Sequence, residues 1–209
     1  MNTQEPLIGQ LHIIIGPMFS GKTTELIKRL RRYSAIGKNV LVINSSKDTR
    51  NANNVIMTHT KETLDAVKTE FLTKSSEKNT INFLNIQKPR MAYHHNVIGI
   101  DEAQFFEDLV PFVKQKVNDG FIVVVAGLIG DFEQKPFGHI LELLPFCDTI
   151  THLKSYCTVS KDGTLAPFTK RIVDSKEQLE QDIAKSLGWV KTSTNDLDTD
   201  NQLRMLFGD

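Results

Sequence analysis

The sequence predicts an α/β fold in which a mostly parallel sheet carries helices on both faces. An apolar run at residues 11–15 leads into the pattern GxxxxGK[ST] at 16–23, which joins a strand to a helix in phosphate-binding proteins. Two more short apolar runs, at residues 39–43 and 96–100, alternate with stretches of helical periodicity. Because this alternation favours a parallel sheet, functional residues are expected at the carboxyl ends of the strands.

The first half of the chain contains one strand–helix–strand unit. Apolar residues recur at helical spacing over residues 26–33, and they predict a helix that continues until Gly37. Residues 39–43 form the next strand, with the polar sequence SSKDTR at its carboxyl end. Residues 51–92 are polar and weakly periodic, which predicts loops and short helices rather than another core layer.

The second half begins with another unit of the same kind. After the strand at 96–100, an apolar face over residues 105–117 predicts a helix, and residues 121–126 form the following strand. The remaining predicted elements are a short helix at 140–144, a strand at 149–155, a hairpin turn at 161–163 and a final helix at 179–187.

The composition bounds the domains and the class of partner. The 209 residues allow one main domain at 1–150, a small C-terminal lobe at 151–191 and a polar tail at 192–209. Lys+Arg and Asp+Glu both number 25, so the chain has no net basic field for nucleic acid, and a small-molecule partner is expected. The first residues lack a signal peptide, and no apolar run approaches the roughly 20 residues of a membrane span. We therefore expect a cytoplasmic protein without a membrane partner.

The phosphate loop predicts where a nucleotide binds. Its glycines allow backbone N–H groups to face a polyphosphate, and the helix that follows adds its positive N-terminal end. Lys22 is placed for the terminal phosphates, and the Thr23 hydroxyl is placed for the Mg²⁺ ion that accompanies the nucleotide. The residues predicted to bind the nucleotide are Gly16, Pro17, Phe19, Ser20, Gly21, Lys22, Thr23 and Thr24.

Two carboxylates, Asp101 and Glu102, directly follow a predicted buried strand. Phosphoryl transfer beside a phosphate loop needs one carboxylate near the metal ion and one that accepts a proton. Because adjacent strand residues point to opposite faces, we assign Asp101 to Mg²⁺ together with Thr23, and Glu102 to the nucleophile as general base. A solvated acidic helix start is the alternative use of such a pair. The letters DEAQ also occur in helicases, but no second lobe of the required length follows residue 150.

Five segments, taken in order, resemble the thymidine kinases of the cytosolic and viral type: GPMFSGKTTELIKRLRRY, KDTR, IDEAQFF, GLIGDFEQKPFG and FTKR. The resemblance covers residues 8–173. It implies a RecA-like P-loop core and transfer of the γ-phosphoryl group of ATP, with Mg²⁺, to the 5′-hydroxyl of thymidine. It also implies a homo-oligomer, either a dimer or a tetramer.

The resemblance further implies roles for single residues. Glu102 would take the proton of the 5′-hydroxyl, while Asp48 and Arg50 would lie near the phosphates and the metal ion. Arg50, as a catalytic candidate, could neutralise the transferring phosphate, and the alternative is that it is a surface arginine. The residues implied to enclose the base are Met18, Phe105, Leu128 and Phe132, with Arg171 as a further substrate-site candidate. An aromatic ring can stack on a nucleobase for about 1–3 kcal/mol. The alternative is that the four apolar residues belong to the ordinary core.

The C-terminal lobe departs from the family pattern. Members typically hold a structural zinc with two Cys-x-x-Cys-like pairs, and Cys157 matches the first ligand, but Ser160 stands where the second is expected. No cysteine or histidine follows Cys157, and a tetrahedral site needs four ligands, so no structural zinc is expected. Residues 164–169 and the terminal helix would then close the pocket. Ile129 stands where the family frequently has an aspartate.

These departures leave several functions open. The substrate could be thymidine or a related pyrimidine deoxynucleoside. A nucleotide-binding regulatory module that has lost kinase activity would bind ATP without nucleoside-dependent release of ADP. A P-loop ATPase that acts on a polymer would hydrolyse ATP faster when the polymer is present, although the balanced charge argues against it.

Overall fold

The computed structural model describes residues 8–48, 54–73, 97–157 and 160–169. In chain order, the strands and α-helices are β1 (Gln10–Ile15), α1 (Lys22–Ala35), β2 (Val40–Ser45), β3 (Val55–Met57), β4 (Thr63–Asp65), β5 (Val67–Thr69), β6 (Val97–Ile100), α2 (Leu109–Asn118), β7 (Ile122–Gly127), β8 (Thr149–His152), β9 (Ser155–Tyr156) and β10 (Leu165–Ala166). Among the residues described, Ala103–Phe105 and Ile140–Phe146 form 3₁₀ helices. The helix predicted at 179–187 lies outside the described residues.

Six of the strands form one sheet in the order β5-β2-β6-β7-β1-β8. Every pairing within it is parallel; β1, for example, pairs with β7 on one side and with β8 on the other. This arrangement confirms the predicted α/β class with a mostly parallel sheet. Because the strands are parallel, the loops that follow β1, β2, β6 and β7 all emerge at the same edge.

The two α-helices lie on opposite faces of this sheet, as predicted. Side chains alternate along β1, so Ile14 packs in the core that α1 covers, while Ile13 and Ile15 pack in the core that α2 covers. Leu26, Ile27 and Leu30 of α1 and Leu109, Phe112 and Val113 of α2 are the helical residues buried in these two cores. In the part of the chain that the structure describes, no helix is long and apolar enough to span a membrane.

The helix predicted over residues 105–117 is shorter than expected. Phe105 ends a 3₁₀ helix, Phe106 adopts an extended conformation, and α2 begins only at Leu109. The reason is burial, because Phe106 is fully buried in the core and the break in the helix places it there. Helical spacing alone therefore assigned Phe105 to the wrong element.

The prediction of loops and short helices for the polar segment was also wrong where the structure describes it, at residues 54–73. The strands β3 and β4 pair as an antiparallel hairpin, and β5 joins the edge of the main sheet beside β2. Leu72 is buried in the core that α2 covers, and Ile56 is buried in the core that α1 covers. A few widely spaced apolar residues are therefore enough to pack this polar segment against the main sheet.

The region after residue 148 forms two pieces rather than the single strand predicted at 149–155. The strand β8 ends at His152 as the outermost strand of the main sheet, whereas β9 pairs antiparallel with β10. The turn at 161–163 lies between β9 and β10, which confirms the predicted hairpin turn. Lys161 and Gly163 both have positive φ there, at 51° and 86°.

Candidate active site

A small cavity of about 50 Å³ lies where the phosphate loop meets the carboxyl ends of β6 and β7. The lining residues come from the phosphate loop, the β3–β4 hairpin and the loops after β6 and β7. They are Met18, Phe19, Gly21, Lys22, Thr23, Thr24, Met57, Thr58, His59, Glu102 and Leu128. Parallel strands thus bring together residues that are more than a hundred positions apart in the sequence.

The phosphate loop has the conformation that its glycines make possible. A Cβ atom on Gly16 would lie 2.6 Å from the carbonyl oxygen of Leu153, so no larger residue fits there. Gly21 has φ 87° and forms the N-cap of α1, which turns the chain into the helix. The Lys22 ammonium is buried beneath the loop and donates a hydrogen bond of 2.7 Å to the Pro17 carbonyl oxygen. The lysine that is predicted to bind phosphate is therefore held inside the loop.

The Thr23 hydroxyl connects the phosphate loop to the end of β6. Its Oγ1 donates a hydrogen bond of 3.0 Å to Oδ2 of Asp101, whose side chain is almost fully buried. A hydroxyl and a carboxylate side by side are oxygen donors of the kind that Mg²⁺ prefers beside a triphosphate. This donor pair fits the ion that the sequence predicts.

Glu102 is brought into the cavity by an unusual backbone conformation. Its φ and ψ are 49° and 41°, in the left-handed region that residues other than glycine seldom adopt. Strained residues of this kind cluster at functional sites, because the surrounding structure must hold them in place. The different work assigned to Asp101 and Glu102 stays a prediction. The Glu102 Oε2 atom accepts a hydrogen bond of 2.7 Å from Nε2 of Gln104.

The β3–β4 hairpin supplies cavity residues that the sequence reasoning missed, namely Met57, Thr58 and His59. The His59 ring lies on the Phe19 ring with a centroid distance of 3.9 Å. Small-molecule pockets usually measure about 300–1,000 Å³, so the cavity between the described residues, at about 50 Å³, is smaller than such a pocket. The apolar triplet Val55–Met57 could have predicted the strand β3. No local sequence pattern, however, predicts that the β3–β4 hairpin lies beside the phosphate loop.

Two of the four residues implied to enclose the base, Met18 and Leu128, line the cavity. The other two, Phe105 and Phe132, are partly buried but are not among its lining residues. Phe105 packs edge-on against Phe137, with ring centroids 5.6 Å apart. The structure therefore brings Met18 and Leu128 together in the cavity, but not Phe105 or Phe132. The roles of all four residues stay predictions.

Asp48 lies beyond the end of β2 and is held by a local network. Its Oδ2 accepts a hydrogen bond of 2.9 Å from Nδ2 of Asn44, and its carbonyl oxygen accepts one of 2.8 Å from Nζ of Lys68. It is buried and is not a lining residue of the cavity. The other two polar candidates, Arg50 and Arg171, lie outside the described residues.

The C-terminal segment contacts the phosphate loop directly. The Met18 amide donates a hydrogen bond of 3.1 Å to Oγ1 of Thr169, which belongs to the stretch expected to close the pocket. A second cavity of about 300 Å³ lies between the phosphate loop, the loop after β7 and residues 167–169. Mainly apolar atoms line it, and Ile129, at the position where the family frequently has an aspartate, is one of its residues.

Cys157 and Ser160 stand at the two positions where the family pattern has its first pair of zinc ligands. The Ser160 amide donates to the Cys157 sulfur at 3.5 Å, and the Ser160 hydroxyl donates to Asp162 at 2.7 Å. Within residues 8–48, 54–73, 97–157 and 160–169, no group of three or more His, Cys, Asp or Glu side chains could hold a metal ion. The segment where a second pair would fall lies outside the described residues, so the absence of zinc stays a prediction.

The geometry defines the class of the protein. The phosphate loop enters α1 directly from β1, the threonine after its lysine contacts an aspartate at the end of β6, and a second carboxylate faces the same cavity. In P-loop proteins this arrangement holds a nucleoside triphosphate and its metal ion. The chain is a P-loop nucleotide-binding protein.

Comparison with known proteins identifies the family. A family model described as thymidine kinase matches residues 9–184. The chain is 38% identical to thymidine kinase 1 of Dictyostelium discoideum over 175 residues, which cover 82% of this chain and 70% of that protein. It is 39% identical to the thymidine kinase of Myxoma virus (strain Uriarra), covering 81% and 86%, and 38% identical to the cytosolic thymidine kinase of Homo sapiens, covering 81% and 65%. The chain belongs to the thymidine kinase family.

Proposed function

We propose that this protein transfers the γ-phosphoryl group of ATP to the 5′-hydroxyl of thymidine. Membership of the family supports a kinase that uses ATP and a nucleoside. The observation that carries the proposal for this chain is the meeting of Lys22, Thr23 and Glu102 in one cavity, with Asp101 bonded to Thr23 at 3.0 Å. These are the groups that phosphoryl transfer requires: a cation for the phosphates, oxygen ligands for a metal ion, and a base.

The phosphate loop would bind and orient ATP. Its backbone N–H groups and the N-terminus of α1 face the triphosphate, and Lys22 exchanges the Pro17 carbonyl for the terminal phosphate oxygens. The lysine then stays beside the charge that spreads over the transferred group. The proposed role of Arg50 is to assist it, and that of Asp48 is to lie near the same phosphates and metal ion.

Thr23 and Asp101 would hold Mg²⁺ through their oxygen atoms. A bound Mg²⁺ ion neutralises phosphate charge and fixes the orientation of the β- and γ-phosphates. The hydrogen bond between Thr23 and Asp101 keeps the two oxygen atoms together before the nucleotide arrives. The protein therefore contributes a preformed pair, and the triphosphate and water complete the coordination.

Glu102 would act on the nucleoside. The oxygen of the 5′-hydroxyl forms a bond to the γ-phosphorus while the bond from that phosphorus to the bridging oxygen of ADP breaks. The hydroxyl proton passes to the Glu102 carboxylate and then to water. Met18 and Leu128, with Phe105 and Phe132, are proposed to enclose the base, and Arg171 is the remaining substrate-site candidate.

Product analysis tests the proposal directly. The purified protein is incubated with ATP, Mg²⁺ and each deoxynucleoside separately, and both ADP and the nucleoside monophosphate are followed. Thymidine monophosphate formed together with ADP supports the proposal. Binding of ATP without any phosphorylated nucleoside would contradict it and would favour the regulatory module. The homo-oligomer, the cytoplasmic location and the division at residues 150 and 191 stay predictions from the sequence.

A further inference from the structure

The side chain of Gln104 connects two parts of the active site that come from different strands. Its Nε2 donates a hydrogen bond of 2.7 Å to Oε2 of Glu102, which follows β6. Its Oε1 accepts a hydrogen bond of 3.0 Å from the backbone amide of Leu128, which follows β7. The Gln104 side chain is buried, with 4% relative exposure. Both ends of this amide are therefore used inside the protein.

The orientation of the amide follows from its partners. A backbone N–H group can only donate, so the oxygen of the Gln104 side chain must face Leu128. Its NH₂ group must then face Glu102. A hydrogen bond from this NH₂ group requires an accepting oxygen on the carboxylate. Gln104 thus donates a hydrogen bond to the Glu102 carboxylate, which is proposed to accept the substrate proton.

Two glycines allow Gln104 to lie where it does. A Cβ atom on Gly127 would lie 2.5 Å from the Gln104 Oε1 atom, and a Cβ atom on Gly138 would lie 2.2 Å from the Gln104 carbonyl oxygen. Any larger residue at these places would displace the side chain or its backbone. The close packing gives the Gln104 amide little freedom to rotate.

We propose that Gln104 is a positioning residue, which holds the Glu102 carboxylate at the angle needed for proton transfer and ties that angle to the loop at Leu128. This inference rests on the proposed function. The need for such a group is physical, because a general base works only while its carboxylate is held at the right distance and angle, and an unrestrained glutamate side chain rotates among several rotamers. Leu128 lines the same cavity and is one of the residues proposed to enclose the nucleobase. The Gln104 side chain therefore contacts both the Glu102 carboxylate and the loop that carries Leu128.

The substitution Gln104→Glu is designed to keep the hydrogen bond from the Leu128 amide and to remove the one to Glu102. The introduced carboxylate still accepts from the Leu128 amide, but while it is ionised it offers no donor to Glu102 and places a second negative charge beside it. We expect kcat for thymidine phosphorylation to fall about 10–100-fold, because a misplaced catalytic group costs rate in this range. The KM for ATP should change by less than about twofold, since the phosphate loop is not altered. Gln115→Glu, the same change on the exposed face of α2, is the matched control and should leave kcat unchanged.

A second background distinguishes positioning from a general loss of structure. In a Glu102→Gln protein no carboxylate base remains to be oriented, so adding Gln104→Met, which introduces no new carboxylate, should lower the residual kcat by less than about twofold. Gln104→Met removes both hydrogen bonds and adds no charge, and in the presence of Glu102 it should lower kcat as Gln104→Glu does. Thermal unfolding and ATP titration of each variant establish that it is folded.

The outcomes separate this inference from the proposed function. A large loss of kcat in the Gln104 variants, which for Gln104→Met disappears in the Glu102→Gln background, supports the positioning role. Wild-type kcat in Gln104→Glu, or an equal loss from Gln104→Met in both backgrounds, would overturn the positioning role while thymidine phosphorylation by the wild-type protein stands. A wild-type protein that phosphorylates no nucleoside would overturn the proposed function and this inference with it.

Discussion

Replacing Glu102 with glutamine tests the proposed base with little disturbance of the fold. The glutamate side chain is 8% exposed and accepts a hydrogen bond from Gln104. The introduced amide has the same shape, and its oxygen can still accept that bond. Because the backbone at this position is already in the left-handed region, an isosteric change adds no new strain. What the variant lacks is the ability to take a proton from the nucleoside hydroxyl.

The expected size of the effect follows from this single loss. A positioned general base contributes about 10²–10⁴ to the rate, so we expect kcat to fall by that factor. At about 1.36 kcal/mol per tenfold change, the transition state loses roughly 2.7–5.4 kcal/mol of stabilisation. ATP affinity should stay nearly unchanged, because Lys22 and the phosphate loop are intact.

The assay measures thymidine monophosphate and ADP under saturating ATP, and calorimetric titration measures ATP binding. Glu107→Gln is the matched control, since Glu107 is exposed and lies five positions along the chain. The control should have the wild-type kcat. Full turnover in the Glu102→Gln protein would refute the assignment of the base, and a large loss of ATP affinity would show that Glu102 acts mainly in binding.

Three further substitutions test other parts of the structure. Lys22→Ala removes a charged donor worth about 1.5–3 kcal/mol, so ATP affinity should fall roughly 10–100-fold and kcat should fall as well; normal affinity would contradict the role of the loop. Asp108→Ala removes the carboxylate that accepts from the amides of Leu72 and Thr73, and it should lower Tm by roughly 3–6 °C in thermal unfolding without changing ATP affinity. An unchanged Tm would show that this contact does not stabilise the fold. Leu30→Ala opens a cavity in the core under α1 and should lower the free energy of unfolding by about 2–5 kcal/mol in chemical denaturation, whereas a loss below about 1 kcal/mol would mean that the core collapses around the site.

Much of the fold could be predicted because local patterns and global packing agree. The strands β1, β2, β6 and β7 are apolar runs bounded by polar or glycine-rich turns, and such runs are stable only when they are buried between helices. The failures came where local pattern and packing disagree. Phe105 fits a helical face, but burial of Phe106 breaks the helix. The β3–β4 hairpin has a largely polar sequence that does not predict strands, and tertiary contacts stabilise the strand pair.

The sequence by itself determined the chemistry that the site can perform. The order of residues at 16–23 specifies a phosphate loop, and a carboxylate pair after a buried strand predicts where a metal ligand and a base would lie, because strand ends in a parallel sheet meet at one edge. Only the tertiary structure decided how these groups are oriented. The left-handed turn at Glu102, the Gln104 amide that connects it to Leu128, and the hairpin that covers the phosphate loop all depend on contacts between segments distant in the chain, and no local pattern encodes such contacts.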